Sequence, residues 1–502
     1  MSDEESGRSA VRDWRAELGE EKVLVGKACA KRYGPNVTEY PQRRLVGALF
    51  PHDTRDVVQI VRIANEHRVP LYPVSRGCNW GLGSKQPPVD DCAIVDLSNM
   101  DRILGVDTDL HYAVVQPGVS QKALFQHLRE HDIPLVLNVT GAGGQASVLG
   151  NALERGVGML GQRHRDVRGL EVVLGTGEVL RTGSWGYTDE QDACSHHYPE
   201  GLGPDLMGLF MQSNLGIVTA AAVDLQPRQD VCLMLAEVSE LNLSSVVDAL
   251  ARLRARQILR DRIEIMADDD PRLGSIVEQA GKARTWQVWV AMHGPESLLH
   301  PQRDLIEVAI GDFCQRLRFW REDDVAAEGW TGALGARFDL VQGRPSDYSI
   351  ESMLRRYGAD EAADADLDHE QDAPGFVCVL PAVPLQGAKF QAVVAVVDEV
   401  SRELGVDVFM SFASVSSTAA EGFIRVPFDR NDPRAVAIAH RWNQEIHTRL
   451  LCSGTVPLRV NIEQLPEVIA SGGDTGWETV RAIKKALDPN DILAPGRYCP
   501  PS

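Results

Sequence analysis

Three stretches, the first two of them glycine-dense, hold the residues whose types and spacing could bind or transform a ligand. In 73–84 (PVSRGCNWGLGS), glycines stand at 77, 81 and 83 just after an apolar run that reads as a short strand. Without Cβ atoms in the way, successive backbone N–H groups can converge into a concave array of the kind a pyrophosphate needs, and Arg76 could add charge. The stretch is neither a G-x-G-x-x-G fingerprint nor a P-loop with its Lys-Ser/Thr, so a ligand-free turn remains an open alternative. The second stretch, 141–161 (GAGGQASVLGNALERGVGMLG), places seven glycines in 21 positions. Such density weakens any regular element by about 0.5–1 kcal/mol per glycine, which is tolerable where backbone must lie against something flat or large. Ser147, Gly150 and Asn151 begin a short helix there, and its N-terminus could face an anion. The apolar Val148, Leu149, Leu153, Val157 and Met159 argue against a mobile surface loop. The third stretch, 208–219 (GLFMQSNLGIVT), reads as a helix end followed by a core strand.

Other constellations carry less. The nine cysteines are scattered and none forms C-x-x-C, so neither a zinc site nor a disulfide framework is expected. Cys78 and Cys378 read as small buried residues. Cys194-Ser195-His196-His197 lacks further metal ligands and reads as a surface loop. Asp364, Asp366 and Asp368 mimic the start of an EF-hand, but His369 and Gly375 stand where glycine and a bidentate acid are required. Asp268-Asp269-Asp270 reads as a solvated turn, and no metal site is expected.

The elements that must position these residues fall into three zones. At 502 residues the chain is long enough for two to three domains, with 44% hydrophobic and 24% charged residues. Its formal charge of −20 counts against nucleic acid and anionic membranes as partners. No apolar run is long enough to span a bilayer, the charged N-terminus lacks a signal-peptide core, and a cytoplasmic location is expected. Residues 1–227 are Gly-rich and mixed β/α. The spacing of Val57, Ile60, Val61 and Ile63 predicts a helix over 54–67, with Thr54 as its cap. Strands are predicted at 70–74, 92–97 and 112–116, a helix at 120–131, and a hairpin at 170–182 around Gly175-Thr176-Gly177. From 228 to 454 long amphipathic helices (244–257, 390–404, 434–451) alternate with strands such as 376–380, which suits a separate α+β domain. Residues 455–502 carry a helix (477–487) and the tail LDPNDILAPGRYCP.

The order of 73–84, 92–119 (CAIVDLSNMDRILGVDTDLHYAVVQPGV), 146–158 (ASVLGNALERGVG), 170–183 (LEVVLGTGEVLRTG), 198–219 and 491–498 (DILAPGRY) resembles the vanillyl-alcohol oxidase / p-cresol methylhydroxylase flavoproteins, nearest to the branch that oxidises para-substituted phenols. The resemblance runs over 40–227 and 455–498, and only loosely over the middle zone. It implies an α+β fold: an FAD-binding domain of two subdomains, interrupted by a ferredoxin-like α+β cap over the flavin ring. Carried across, Ser75, Arg76, Gly77, Cys78, Asn79, Trp80, Gly81 and Ser84 resemble the pyrophosphate loop. Gly144, Ser147, Val148, Gly150 and Asn151 resemble the contacts along flavin and ribityl chain, and Ile217 and Val218 the strand at the adenine end. Arg497 resembles the basic residue near flavin N1/C2=O, where a cation would favour the anionic reduced ring.

The departures are as informative. Leu82 stands where the phenol oxidisers carry a tyrosine between two glycines, and Leu458-Arg459 replaces a tyrosine–arginine pair. The family's catalytic aspartate falls among Gly141, Ala142, Gly143 and Gly144, which bring no carboxylate. Phe376 aligns near the covalent flavin attachment and cannot form it, so FAD is expected to be non-covalent. The expectation is an FAD-dependent oxidoreductase, passing hydride from a bulky, largely apolar organic substrate (possible secondary metabolism) to flavin N5. Arg459 is the expected catalytic-site residue, and Leu82, Phe376 and Leu458 form a greasy substrate pocket. The missing carboxylate keeps open a redox-neutral cyclase or lyase with structural FAD, and a binding-only protein with a vestigial flavin site. The expected partners are a small organic substrate and, from the fold's habit, a second copy of the chain in a homodimer.

Overall fold

The computed structural model describes residues 3–188, 194–271, 284–330, 332–355, 370 and 374–499. In the glycine-rich zone, Leu45–Leu49, Cys92–Asp96 and Leu71–Val74 form a parallel ladder, to which Val23–Leu24 adds antiparallel. Parallel neighbours need a crossover, and the helix Thr54–His67 supplies it, burying the face that the spacing predicts. Its cap is Asp53 rather than Thr54: the Asp53 carboxylate accepts the Asp56 N–H at 3.0 Å, while the Thr54 hydroxyl donates to Glu171. The charged N-terminal segment forms the helix Asp3–Leu18, whose Ala10, Trp14 and Leu18, four residues apart, pack into the same core. A second, antiparallel sheet runs Val179–Arg181, Val167–Leu174, Gly216–Asp224, Tyr112–Val115, Ile103–Asp107, and its first two strands are the expected hairpin.

The middle zone builds one sheet of eight strands, in the order Cys314–Arg321, Val231–Ser239, Thr285–His293, Ile263–Ala267, Phe409–Ser414, Ala419–Phe428, Gly375–Pro384, Pro457–Arg459. Along the chain these are two β-α-β-β-α-β units, each with the order 4-1-3-2, fused by pairing their second strands Ile263–Ala267 and Phe409–Ser414. That is the ferredoxin-like arrangement twice over. The helices Leu243–Ala255, Glu296–Ile310, Gly387–Leu404 and Pro433–Cys452 pack on one face of the sheet. The two-residue period of a strand sends Ala420, Ile424 and Val426 into that core, and Glu421, Phe423 and Arg425 to the other side. The chain leaves the sheet only after Arg459, which stands opposite Leu380 on the ladder.

The last zone returns to the first. Buried Lys484 donates to the carbonyls of Asn214 and Leu493 and to Asp488, and the tail pairs with the parallel sheet through Leu71 N–H to Ile492 and Ala494 N–H to Leu71, both at 2.7 Å. Two local expectations are corrected. Asp270 is buried in an ion pair with Arg425 at 2.5 Å rather than in a solvated turn. His196 is buried edge-on against Trp185 and Tyr112, because two aromatic rings offer it more than solvent does. The acidic run Asp364, Asp366, Asp368 lies outside the described residues.

Candidate active site

A long crevice opens between the two small sheets. Its walls are the loop 72–79 that follows the strand Leu71–Val74, the segment 146–154, the segment 210–218 that leads into the strand Gly216–Asp224, and Arg497 from the tail; with its mouth it encloses about 1050 Å³. The loop is a compact turn, in which Leu82 and Ser84 N–H both donate to the Asn79 carbonyl, and it requires glycine at 81, where φ is +78°. A Cβ on Gly81 would also stand 2.5 Å from the Phe376 ring and 2.7 Å from Cys378 Sγ, so this glycine is where the loop touches the cap sheet. Ser147 caps the helix Val148–Leu153, its Oγ accepting the Gly150 N–H at 2.9 Å. A Cβ on Gly150 would lie 2.9 Å from Ser75 Oγ, so the two walls are held at closest approach.

One end of the crevice is strongly polar. Tyr498 Oη donates to Glu154 at 2.5 Å, and Arg497 Nη2 reaches both Glu154 oxygens at 3.3 Å. Burial pushes the Glu154 carboxyl up, but Arg497, Arg459 and the Tyr498 hydroxyl outweigh it and hold it below its ordinary value. Arg497 Nη1, Arg459 Nε and Asn151 Oδ1 are buried without any hydrogen-bond partner. Three such groups facing one crevice form a set that a polar ligand would satisfy together. These groups, and a backbone cradle that a side chain would fill, fit FAD.

The crevice meets a second cavity at Cys78, Asn79, Asn151 and Arg459. This space, about 1290 Å³ with its mouth, lies between the open face of the cap sheet, the loop 140–142 and the helices Gly332–Val341 and Tyr348–Arg355. One part is apolar, with Phe376, Leu380 and Phe423. The other holds Arg262, Arg337 and Arg425 with Glu264 and Glu421. Glu264 accepts from Arg262 at 2.8 Å and from Arg337 at 2.5 Å, and Arg337 lies over the Trp289 ring. Burial pushes the Glu421 carboxyl up to about 7, against the pull of Arg459 and Arg262. Among the described residues the Arg459 side chain makes one hydrogen bond, from Nη2 to Asn79 Oδ1 at 2.8 Å, and no ion pair.

Most of the residues singled out in the sequence converge here. Ser75, Arg76, Gly77, Cys78, Asn79, Ser84, Ser147, Gly150, Asn151, Ile217, Val218, Arg459 and Arg497 line the crevice, and Trp80 and Phe376 line the cavity. Gly81 touches the cap strand instead, and Val148 is buried in the core. Gly144 N–H donates to Asp347 of the cap at 2.6 Å. Arg76 is occupied by Gln145 and by the Gly118 carbonyl rather than aimed as a bare charge. Of the expected greasy pocket only Phe376 lines the cavity: Leu82 is buried behind Leu380 and Phe423, which do line it, and the Leu458 carbonyl accepts from Gln212. The cavity is amphipathic. Sequence reasoning missed Glu154, Tyr498, Glu264 and Glu421; the signal was there in the charges at alternate positions of RIEIMA and EGFIRV, where strand residues point the same way. Cys78 and Cys378 behave as small residues, with burial pushing their thiols up to about 11 and about 12.

Comparison with known proteins agrees with this geometry. Residues 47–183 match the FAD binding domain family, and 462–498 match the C-terminal domain family of FAD linked oxidases. The 1'-carboxy-chondrochloren decarboxylase of Chondromyces crocatus is 30% identical over 97% of this chain and 96% of its own. The 4-cresol dehydrogenase flavoprotein subunit of Pseudomonas putida is 27% identical over 97% of this chain and 94% of its own. Among solved structures, the 4-ethylphenol oxidase of Gulosibacter chungangensis in complex with isoeugenol superposes with a TM-score of 0.86 at 25% identity, covering 99% of this chain and 97% of the other.

Proposed function

Because the chain belongs to the p-cresol methylhydroxylase-type family of FAD-dependent oxidoreductases, we propose that it oxidises an organic molecule whose anionic oxygen is held by Arg459 and whose larger body fills the cavity under the cap sheet. The observation that carries this reading is Arg459 itself: it stands where crevice and cavity meet, and among the described residues its Nε is buried without a partner and its one side-chain hydrogen bond goes to an amide. Glu154 and Glu421 feel this cation, but among the described residues neither forms an ion pair with it, so an anionic ligand would give the half-buried guanidinium a direct charged partner. The relatives are named for phenols and for a carboxylated compound. Both chemistries present an oxygen that is, or becomes, an anion.

FAD, when bound, supplies the two-electron acceptor for a hydride leaving a substrate carbon. The loop 75–79 with Ser84, together with Ser147, Gly150, Asn151, Ile217 and Val218, would hold it in the crevice, and Arg497 would supply positive charge at one end. Asn79 orients Arg459, so the anion is fixed at the boundary of the two spaces and the reacting carbon is presented to the crevice. Phe376, Leu380 and Phe423 exclude water from the apolar part of the substrate.

Anaerobic mixing of the purified yellow protein with isoeugenol or 4-cresol tests this. Bleaching of the flavin absorbance is expected, and Arg459→Ala, with its FAD retained, is expected to bind these compounds about 10- to 100-fold more weakly, the loss of a charge-assisted hydrogen bond. Unchanged affinity in the variant would remove Arg459 from the site. Turnover with the flavin permanently oxidised would favour the redox-neutral reading instead.

A further inference from the structure

Glu421, on the strand Ala419–Phe428, lines the cavity. Across the ladder its neighbour is Ala413, and Ala413 pairs on its other side with Glu264. Two carboxylates therefore occupy one row of the sheet, two strands and about 10 Å apart, with only a methyl group between them. Their environments differ sharply. Glu264 is held as an anion by Arg262 and Arg337. Glu421 is 8% exposed, its Oε1 is buried, and no described group donates a hydrogen bond to either of its oxygens. The charged groups around it are Arg459 from the edge strand, Arg262 and Glu264 from the segment 262–264, Arg337 from the helix above, and Arg425 on its own strand, already paired with Asp270.

We infer that Glu421 is the proton acceptor for a substrate hydroxyl whose oxygen becomes the anion on Arg459. The step moves one proton: the substrate O–H bond breaks, an O–H bond forms on the Glu421 carboxylate, and the negative charge passes from Glu421 to the oxygen beside Arg459. The total charge of the cavity is unchanged, so no additional ion has to be desolvated. Burial already holds this carboxyl near about 7. An anion arriving at Arg459 takes over the cation that stabilised the carboxylate, which raises the proton affinity of Glu421 further. The acceptor thus stands on the cap sheet, in the same cavity as the glycine loop Gly141–Gly144, which brings no carboxylate.

This rests on Arg459 as the anion's anchor, and the proton count of binding separates the two claims. Isoeugenol is added to the oxidised holoenzyme in weakly buffered indicator solution at about pH 8, where a free phenol still holds its proton and Glu421 is ionised. Binding is followed by the change in flavin absorbance. The wild type is expected to bind with almost no proton release and with an affinity that barely changes with pH. Glu421→Gln is expected to bind at least tenfold more weakly, releasing about one proton per bound molecule, so that its affinity rises with pH. Glu421→Asp is expected to restore binding without release. A full proton released by the wild type, or equal release from wild type and Glu421→Gln, would overturn the assignment of Glu421 while leaving Arg459 standing. Absence of any binding by the wild type would overturn the Arg459 reading, and this inference with it.

Discussion

Arg497 touches a carboxylate, and in the proposed site that contact would decide how much charge it offers to a bound flavin. Glu154 and the Tyr498 hydroxyl sit directly against its guanidinium, so the positive charge at this end of the crevice is partly neutralised. A cation beside the ring stabilises the reduced anion and raises the reduction potential, and a neighbouring carboxylate opposes it. Glu154→Gln keeps the shape and removes the opposing charge. Spectroelectrochemical titration is expected to show a potential higher by about 30 mV or more, equivalent to about 1.4 kcal/mol for two electrons; an unchanged or lowered value would separate Glu154 from the flavin. At this scale the sequence was most legible where residues are rare in type, as in the glycines and Arg459 beside its altered neighbour. It was least legible for Glu154 and Glu421, whose meaning depends on partners 343 or more residues away, as in Arg497–Glu154, or on having none.

The elements were readable wherever one face is apolar. The helices 54–67 and 434–451 show a helical period and a buried stripe; the first is observed with the same ends, and the second runs one residue further at each end. The cap strands were harder, because one of their faces is a helix-covered core while the other carries Arg and Glu toward a cavity, and a mixed strand of that kind imitates a solvated loop. The boundary between loop and cap gives a direct test. Gly81→Ala would place a methyl group into the Phe376 ring and Cys378 Sγ at a backbone φ of +78°. Strain and overpacking together are expected to cost about 2–4 kcal/mol and to lower the melting temperature followed by flavin fluorescence. Gly203→Ala, also at positive φ (+95°) but with nothing within 4 Å of its Cβ, separates the two contributions; if Gly81→Ala lost no more than this control, the contact with the cap would not be a tight one.

For the whole molecule, the architecture places two different spaces end to end. One is a crevice with a backbone cradle, built by the two ends of the chain. The other is an amphipathic cavity under a doubled ferredoxin-like sheet, and the two share one arginine, Arg459, which forms no ion pair among the described residues. An acidic surface of net −20 surrounds a cavity in which arginines outnumber the carboxylates. That contrast is invisible to composition, because averaging over 502 residues hides a cluster of six. Among the described residues no helix is long and apolar enough to cross a membrane. The overall assignment was legible because several short motifs recur in one order, whereas the polarity of the cavity was not, since it is assembled from strands distant in sequence. The most direct measurement is a crystal structure of the purified protein soaked anaerobically with isoeugenol. FAD density is predicted along the loop 75–79 with no bond to Phe376, Cys78 or Cys378, and with the phenol oxygen against Arg459 and toward Glu421. A crevice closed by the protein's own side chains, or isoeugenol lying with its oxygen away from Arg459, would contradict it.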